Sequence, residues 1–496
     1  MSNIRVTYSG LISFIAVLSS IITGTIFTII VTRRLDPTDF ALWSLIGSLF
    51  VVVMIFDPIA TYWTNRQVAR DQKVAVTAFG ANSLFSIFAV IIYIGISALI
   101  AFTSDANFEL LLFGSLMIPF VYINKILKTI TGAYKPQGNG YVLVISEITK
   151  IPVGFLLVYF LDMGIIGAIT TTLIASSAQL LFYFYYINDK LHEKFSLNIF
   201  KTWLNRSWLS LYSGNTGRIP ELDVLIYTSF FGSIGGLAYL GIGKTMGNLV
   251  SMSTYLSTGL FPKLIATKKS DFIELSLKRT LFLSFLMLSL VIVFTKPGLW
   301  ILNPVYIDGV NVIIIWSLSQ FSLVFMNIFS GSLTGLETID TKNNLKFKEL
   351  VKSKLFFVPT IDHIFRIIYL SLLISFFAIS IFGEFTIITT ISLWGIALLI
   401  TNSGISIVYW KKLKNQISFK FPYFVSLKYL ISAIVSSLPT AYLINEFVEY
   451  HESVFDFIPQ LIPLLILQVG IYLLICIIWD AETKKFILSI INEIKN

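Results

Sequence analysis

Charged side chains lie within stretches that are otherwise apolar, and these side chains are the candidates for chemistry. The densest group contains Gly217, Arg218, Pro220, Glu221 and Asp223. An ionised residue at the centre of a membrane span costs at least about 2.5 kcal/mol, so it usually faces a cavity or a partner. Arg218 and Glu221 are three residues apart and can pair on one helix face. We predict a cavity in which Arg218 binds phosphate; a pair that only packs two helices is the alternative.

Other charged residues in apolar segments include Glu147, Lys150 and Lys244. Glu147 and Lys150 repeat the three-residue spacing, and lining of a cavity or a structural ion pair explains them equally well. Lys244 is close enough to a span end to extend its ammonium group to the interface. If the Lys244 ammonium group stays within the membrane, Asp223 is its expected partner.

Arg33 and Arg34 form a pair at the end of the first apolar segment. Guanidinium groups bind phosphate through two parallel hydrogen bonds, so we predict that this pair contacts substrate. The alternative is pairing with Asp36 and Asp39, or neutralisation of a helix C-terminus.

Two more motifs lie in and after the second apolar segment. Arg66 and Arg70 are four residues apart and lie on one helix face. They can capture an anionic headgroup from the cytoplasm, or they only contribute to the cytoplasmic positive charge that sets membrane topology. Asp57, which precedes Pro58, is a possible cation or proton site or part of a proline-kinked helix end.

The composition of the chain indicates that membrane helices position these charged residues. The chain has 496 residues, of which 56% are hydrophobic and 13% charged, and its mean hydropathy is +0.82. Because a membrane helix needs about 20 apolar residues, the apolar segments predict an all-α polytopic membrane protein with about fourteen transmembrane helices. They lie near 10–32, 40–63, 75–102, 110–130, 140–160, 165–187, 208–231, 237–260, 281–301, 311–334, 362–383, 387–410, 423–445 and 459–479.

The distribution of the 36 lysines and arginines indicates orientation. Most fall in alternate loops, which predicts a multi-pass protein of the cell membrane with both termini in the cytoplasm. The formal charge of +9 is therefore mainly a topology signal, and nucleic-acid binding is not expected. One cysteine and three histidines, none deep in a span, predict no metal site. The chain lacks a nucleotide-binding fingerprint, so no cofactor is expected.

A weak internal repeat divides the chain. The segments 40–45 and 237–242 are alike, as are 131–132 and 334–335, and six predicted spans separate the members of each pair. We predict two pseudo-symmetric six-helix lobes, 1–207 and 208–415, followed by a C-terminal helix pair, 416–496. Chance likeness between apolar helices is the alternative.

A basic cytoplasmic insertion, 337–362, interrupts the second lobe. Its stretch from Lys342 to Lys354 mixes lysines with apolar residues and fits an interfacial helix on anionic membrane lipid, or else a solvated loop. Arg366, just beyond it, is expected to extend towards the interface.

Several short motifs, read in order, resemble a known family. The segment 33–42 resembles the turn after the first span of the polysaccharide and O-antigen flippases of the multidrug/oligosaccharidyl-lipid/polysaccharide exporter superfamily. Further likenesses occur at 131–135, at 223–226 through 236–239 to Phe261 and Pro262, at 302–306 and at 333–336. Together they cover roughly residues 5–335, and the insertion after Gly335 departs from the pattern.

The resemblance implies a non-enzymatic transporter for polysaccharide or glycan assembly. A polyprenyl-(pyro)phosphate-linked oligosaccharide would pass from the cytoplasmic to the outer leaflet by alternating access. Partners would be this substrate, anionic membrane lipid and glycosyltransferases or a polymerase of the same pathway, with the chain itself monomeric.

Two other functions stay open. One is an ion-coupled small-molecule antiporter of the same superfamily, with Asp57, Glu221 or Asp223 as its cation site. The other is a polyprenyl-phosphate glycosyltransferase, which needs acidic catalytic residues in larger outer loops than this sequence provides.

Overall fold

The computed structural model describes residues 20, 23–135, 137–257, 271–337, 349, 351–417, 420–451, 453–485 and 487–488. Helices and their connections make up this part of the chain, with no strand in it. The start of the predicted first span, the motif at Phe261 and Pro262, and most of the predicted interfacial helix lie outside the described residues. The all-α polytopic membrane fold is confirmed.

The first compact unit comprises residues 1–238. Its helix α1 covers 23–34. The following helices are α2 (Pro37–Val53), α3 (Asp57–Val68), α4 (Ala75–Thr103), α5 (Phe108–Gly114), α6 (Met117–Tyr134), α7 (Gln137–Gly154), α8 (Gly164–Tyr186), α9 (Leu197–Asn205), α10 (Ser207–Gly214), α11 (Asp223–Phe231) and the start of α12 (Gly236–Ser251).

The second unit comprises residues 239–496 and is likewise helical where it is described. After α12 its helices are α13 (Asp271–Val293), α14 (Thr295–Leu302), α15 (Val310–Gly335), α16 (Lys354–Phe382), α17 (Ile387–Lys414), α18 (Tyr423–Phe447) and α19 (Val454–Trp479). The chain thus divides into two compact units after Ala238. The lobe boundary at 207/208 was predicted from the internal repeat and stays a prediction.

Eleven segments of the described chain are long and apolar enough to cross a membrane. They correspond to the predicted second to sixth and ninth to fourteenth spans. The first span is described only in part, and the eighth continues as far as Ser257, where the described stretch ends. The seventh is divided into α10, a 3-10 turn and α11.

The division of the seventh span follows from its sequence. Pro220 has no backbone N–H, and Gly217 favours irregular backbone. Helix α10 ends at Gly214, and the backbone then makes tight turns in which Arg218 N donates to Asn215 O and Glu221 N donates to Arg218 O. This irregular backbone presents polar N–H and C=O groups, together with the Arg218 side chain, within the predicted span. A continuous helix would present only side chains there.

The second span is broken at Pro58, and side chains satisfy the carbonyl groups that the break exposes. A 3-10 turn, Met54–Phe56, separates α2 from α3. Tyr122 Oη donates to Val53 O at 2.7 Å, and Asn215 Nδ2 donates to Ile55 O at 3.2 Å. Unpaired carbonyls are costly in a membrane, so these bonds stabilise the break.

We predict that Gly214→Ala destabilises the protein by about 1–3 kcal/mol, whereas Gly217→Ala is close to neutral. A methyl group on Gly214 would lie 2.6 Å from Cβ and Cγ of the rigid Pro58 ring, whereas one on Gly217 would meet nothing within 4 Å. Thermal unfolding in detergent measures both variants. Equal melting temperatures would contradict the close approach of α10 to α3.

The second unit contains a buried polar network, and it contradicts the expectation that Arg366 reaches the interface. Arg366 is 6% exposed, and its Nη1 donates to Asn402 Oδ1 at 3.0 Å. Asp362 lies one helical turn before Arg366, and Tyr409 Oη donates to Asp362 Oδ1 at 2.6 Å. Polar partners on α17 were not visible from hydropathy, and they make burial less costly than extension would be.

The last two helices pack onto α13 within this unit. Tyr472 Oη donates to Phe282 O at 2.6 Å, and Gln468 Nε2 lies 3.2 Å from both Ser289 Oγ and Ser437 Oγ. The predicted C-terminal pair, α18 and α19, is therefore attached through specific hydrogen bonds as well as apolar contact.

Candidate functional site

A buried ion pair joins the broken second span to the broken seventh span. Arg218 Nη2 lies 3.1 Å from Asp57 Oδ2, and Arg218 Nη1 donates a hydrogen bond to Asn215 Oδ1. Asp57 is 2% exposed, and the Arg218 side chain is 17% exposed. A buried carboxylate is very costly unless it is paired. The structure thus brings together two residues that the sequence had suggested for separate roles.

This pair adjoins α4 and α6. Tyr122 on α6 donates to Val53 O, just before the break, and Asn82 Nδ2 on α4 donates to Tyr122 O at 2.9 Å. Met54, at the start of the turn before Asp57, also lines a cavity in the first unit. The ion pair and the cavity wall are therefore supported by the same break in the second span.

The cavity has a volume of about 530 Å³ and lies among α6, α7 and α8. Such a volume is typical of small-molecule sites. Its apolar lining includes Met54, Val121, Val142 and Leu143. The polar lining consists of Asn124, Lys125, Lys128, Asn139, Ser176, Gln179 and Tyr183.

Hydrogen bonds hold the amide groups of the cavity wall in place. Asn124 Nδ2 donates to Ser176 O at 3.3 Å, and Asn139 Nδ2 donates to Lys128 O at 3.2 Å. Tyr183 Oη donates to Asn139 Oδ1 at 3.2 Å. Fixed donors and acceptors of this kind suit a ligand that carries hydroxyl or amide groups.

Lys125 and Lys128 supply the charge of the cavity. They are three residues apart on α6 and share a face. Among the described residues, no carboxylate oxygen lies within 4 Å of either ammonium group. The cavity therefore presents two positive charges that an anionic ligand can neutralise.

Sequence analysis missed these two lysines because they fitted the pattern of cytoplasmic positive charge. The three-residue spacing of the two lysines, together with Asn124 beside them in an apolar helix, is the sequence feature that could have identified them as site residues. None of the site residues predicted from sequence belongs to the described lining of this cavity.

Glu147 and Lys150 form the local pair that their spacing allows. Lys150 Nζ lies 3.1 Å from Glu147 Oε2, and Ser20 Oγ donates to Glu147 Oε1 at 3.3 Å. The ammonium also lies 5.2 Å from the centre of the Phe27 ring. These contacts connect α7 with α1.

The predicted arginine pairs lie elsewhere in the first unit. Arg33 is half-buried and Arg34 is exposed, with its guanidinium carbon 3.9 Å from the centre of the Tyr159 ring. Arg66 and Arg70 are both exposed at the end of the second span. The stacking contact with Tyr159 therefore holds Arg34 in place. Contact of Arg33 and Arg34 with substrate stays a prediction.

The other predicted residues lie at or just before the start of α11, in the first unit, and on α12, in the second. Asp223 is buried as the first residue of α11, and Glu221 is half-buried in the turn before it. Lys244 is half-buried on α12, in the second unit.

A cluster of charges outside the spans joins the end of α6 to the segment after α8. Tyr134 donates a hydrogen bond to Asp189, and Lys135 Nζ lies 3.7 Å from Asp189 Oδ1. Slight burial raises the pKa of Asp189, but the Tyr134 hydrogen bond and the positive charge of Lys135 together outweigh it and hold that pKa below its ordinary value. Asp189 therefore stays ionised, and it ties the end of α6 to the segment that follows α8.

Within the described part of the chain, no group of three histidine, cysteine or acidic residues has the arrangement of a metal site.

Comparison of the sequence with protein-family profiles and with curated proteins finds no match. Solved structures do match. "Lipid II flippase MurJ, inward closed conformation" has a TM-score of 0.68 and 18% identity, and the match covers 95% of this chain and 99% of that one. An inward-facing multidrug resistance MATE family transporter of the MOP superfamily has a TM-score of 0.61 and 14% identity, covering 80% and 94% of the two chains.

A second MATE structure, in the straight conformation, has a TM-score of 0.53 and 15% identity, covering 82% of this chain and 95% of that one. At these identities the similarity establishes the fold. The chain is thus a multi-pass membrane protein with the fold that the lipid II flippase MurJ shares with MATE transporters of the MOP superfamily.

Proposed function

We propose that the protein is a flippase for a polyprenyl-(pyro)phosphate-linked oligosaccharide, moving it from the cytoplasmic to the outer leaflet of the cell membrane. The observation that carries this proposal is the cavity with Lys125, Lys128 and an ordered set of amide and hydroxyl groups. Ammonium groups bind phosphate oxygens, and fixed amides bind sugar hydroxyls. The polyprenyl chain needs no enclosed site, since lipid can surround it.

The extent of the structural match gives a second line of support. The match with the lipid II flippase includes 95% of this chain, against 80% and 82% for the two MATE structures. The chain is therefore matched over more of its length by the lipid II flippase than by the two transporters.

Energetics favour the proposed direction. Moving one negative charge outward across an inside-negative membrane gains about 2.3 kcal/mol per 100 mV. A substrate with a phosphate or pyrophosphate group can therefore be exported without nucleotide hydrolysis. Arg33 and Arg34 would bind the headgroup after transfer, and Arg66 and Arg70 would capture it before transfer.

An ion-coupled small-molecule antiporter is the second candidate, because the chain also shares the fold of MATE transporters. Asp57 was one of three candidate cation sites for that function, together with Glu221 and Asp223. Its Oδ2 is paired with Arg218 at 3.1 Å, and the nearby cavity is basic. Both features suit an anionic ligand better than a cationic drug or a coupling ion.

The test is transport by the purified protein in proteoliposomes. A fluorescent lipid-linked oligosaccharide is incorporated, and a membrane-impermeant quencher reports the fraction in the outer leaflet. We expect the protein to accelerate transfer of this lipid over protein-free vesicles, but not transfer of a fluorescent phosphatidylcholine. Equal acceleration of both lipids would indicate nonspecific scrambling. Drug uptake driven by an ion gradient, without lipid transfer, would establish the antiporter instead.

A further inference from the structure

The second unit contains two adjoining compartments of opposite chemistry. One is a basic cavity of about 500 Å³ between α13, the end of α17 and the start of α18. The other is an apolar groove of about 350 Å³ between α15 and α17. Trp410, Phe421 and Tyr423 line both, so the compartments adjoin each other.

The groove suits a hydrocarbon chain. The ring centres of Phe321 and Phe325 are 5.4 Å apart, and those of Phe325 and Phe421 are 6.3 Å apart. Its serine hydroxyls are already engaged, since Ser322 Oγ and Ser403 Oγ lie 2.9 Å from each other. An alkyl chain can therefore occupy the groove without leaving a polar group unpaired.

The basic cavity suits an anionic headgroup. Lys278 is already neutralised, because its Nζ lies 3.1 Å from Glu274 Oε1 and 2.9 Å from Glu482 Oε2. Lys414 and Lys420 have no carboxylate oxygen within 4 Å among the residues that the structure describes. Two positive charges are thus available beside the aromatic groove.

The order of these groups matches the profile of a membrane surface. Tryptophan and tyrosine are enriched at the level of lipid headgroups, with lysines beyond them and apolar side chains within. Trp410 and Tyr423 lie between the phenylalanine groove and the two lysines. Among the described residues that line the basic cavity there is no asparagine or glutamine, the amides that would suit a sugar headgroup.

We propose that this amphipathic site, formed by Lys414, Lys420 and the groove from Phe321 to Tyr423, binds an anionic phospholipid of the surrounding membrane. The headgroup phosphate contacts the lysines, and one acyl chain lies in the groove. The site differs in chemistry from the cavity of the first unit, and the proposal does not depend on the function proposed above.

Lipid binding to the purified full-length protein tests the proposal. Native mass spectrometry and thermal unfolding are measured with dioleoyl phosphatidylglycerol, with dioleoyl phosphatidylcholine and with glycerol 3-phosphate. We expect binding and a raised melting temperature with phosphatidylglycerol only. Equal effects of the two phospholipids, or an equal effect of glycerol 3-phosphate, would overturn the proposal.

Variants locate the site. The double variant Lys414→Ala/Lys420→Ala should bind phosphatidylglycerol about 30-fold more weakly. Lys484→Ala/Lys485→Ala makes the same charge change at exposed positions outside both compartments and should bind like the unaltered protein. Equal affinity of the two double variants would refute the headgroup assignment.

The groove has its own test. Ile407 lines it and is 50% exposed, so Ile407→Trp should fill the groove without disturbing the core, and should weaken phosphatidylglycerol binding while leaving the lipid-free melting temperature unchanged. Unchanged binding would refute the placement of the acyl chain. Displacement of phosphatidylglycerol by a lipid-linked oligosaccharide would reassign the site to the transported substrate.

Discussion

Replacing both Lys125 and Lys128 with alanine should weaken binding of the lipid-linked oligosaccharide about 100-fold and lower the transfer rate correspondingly below saturation. A hydrogen bond to a charged group contributes about 1.5–3 kcal/mol, and this variant removes both ammonium groups of the cavity. The reconstituted transfer assay, carried out over a range of substrate concentrations, measures the effect.

The control for this prediction is Lys194→Ala/Lys201→Ala. These lysines are exposed, lie outside the described lining of the cavity, and carry the same charge as the pair on α6. We expect the control to transfer substrate at the normal rate. If both double variants slowed transfer equally, the effect would reflect overall charge, and the cavity would not be the substrate site.

Lys125→Arg and Lys128→Arg separate charge from shape. Each keeps a cation but replaces a compact ammonium with a planar guanidinium. Partial transfer by the arginine variants, together with a normal melting temperature, would show that the headgroup needs positive charge at these positions. Full loss in a protein that melts normally would instead indicate that the volume of the cavity is limiting.

The second large effect is expected at the ion pair between Asp57 and Arg218. Asp57→Ala should destabilise the protein by about 3–5 kcal/mol, because it leaves a largely buried guanidinium without its carboxylate. Arg218→Ala should have a similar cost and should slow transfer. Unfolding in mixed micelles at increasing denaturant measures the free energy of each variant.

The double variant Asp57→Ala/Arg218→Ala completes the cycle. It should be less destabilised than the sum of the two single variants, because neither charge is then left buried alone. Lys190 and Asp71 provide a matched comparison, since their atoms are 4.0 Å apart and the Asp71 side chain is 78% exposed. Because solvent screens the exposed carboxylate of Asp71, this pair should couple by less than about 1 kcal/mol. Additive effects at Asp57 and Arg218 would refute the energetic link between the two broken spans.

Much of this fold could be predicted because hydropathy is a local property. Eleven predicted spans have helical counterparts in the structure that are long and apolar enough to cross a membrane. The interruption of the seventh span is also a local property, since Gly217 and Pro220 act on their own backbone. The pair between Glu147 and Lys150 was also accessible, because three-residue spacing on a helix fixes which side chains meet.

Partner choice between distant segments was not accessible in this way. Arg218 had a candidate partner three residues away in Glu221, yet the structure records its bond to Asp57, 161 residues earlier. Arg366 was expected near the interface, but Asn402 on another helix supports its burial. In both cases the deciding contact depends on how helices pack, which no short stretch of sequence contains.

The sequence by itself determined that the chain is a helical membrane protein, roughly where it crosses, and which charges are rare enough to matter. Only the tertiary structure decided which of those charges pair and which face a cavity. Lys125 and Lys128 looked like ordinary cytoplasmic lysines until α7 and α8 placed Asn139, Ser176 and Gln179 opposite them. The physical reason is that insertion depends on the apolar content of each segment, whereas a binding site depends on polar groups brought together from several.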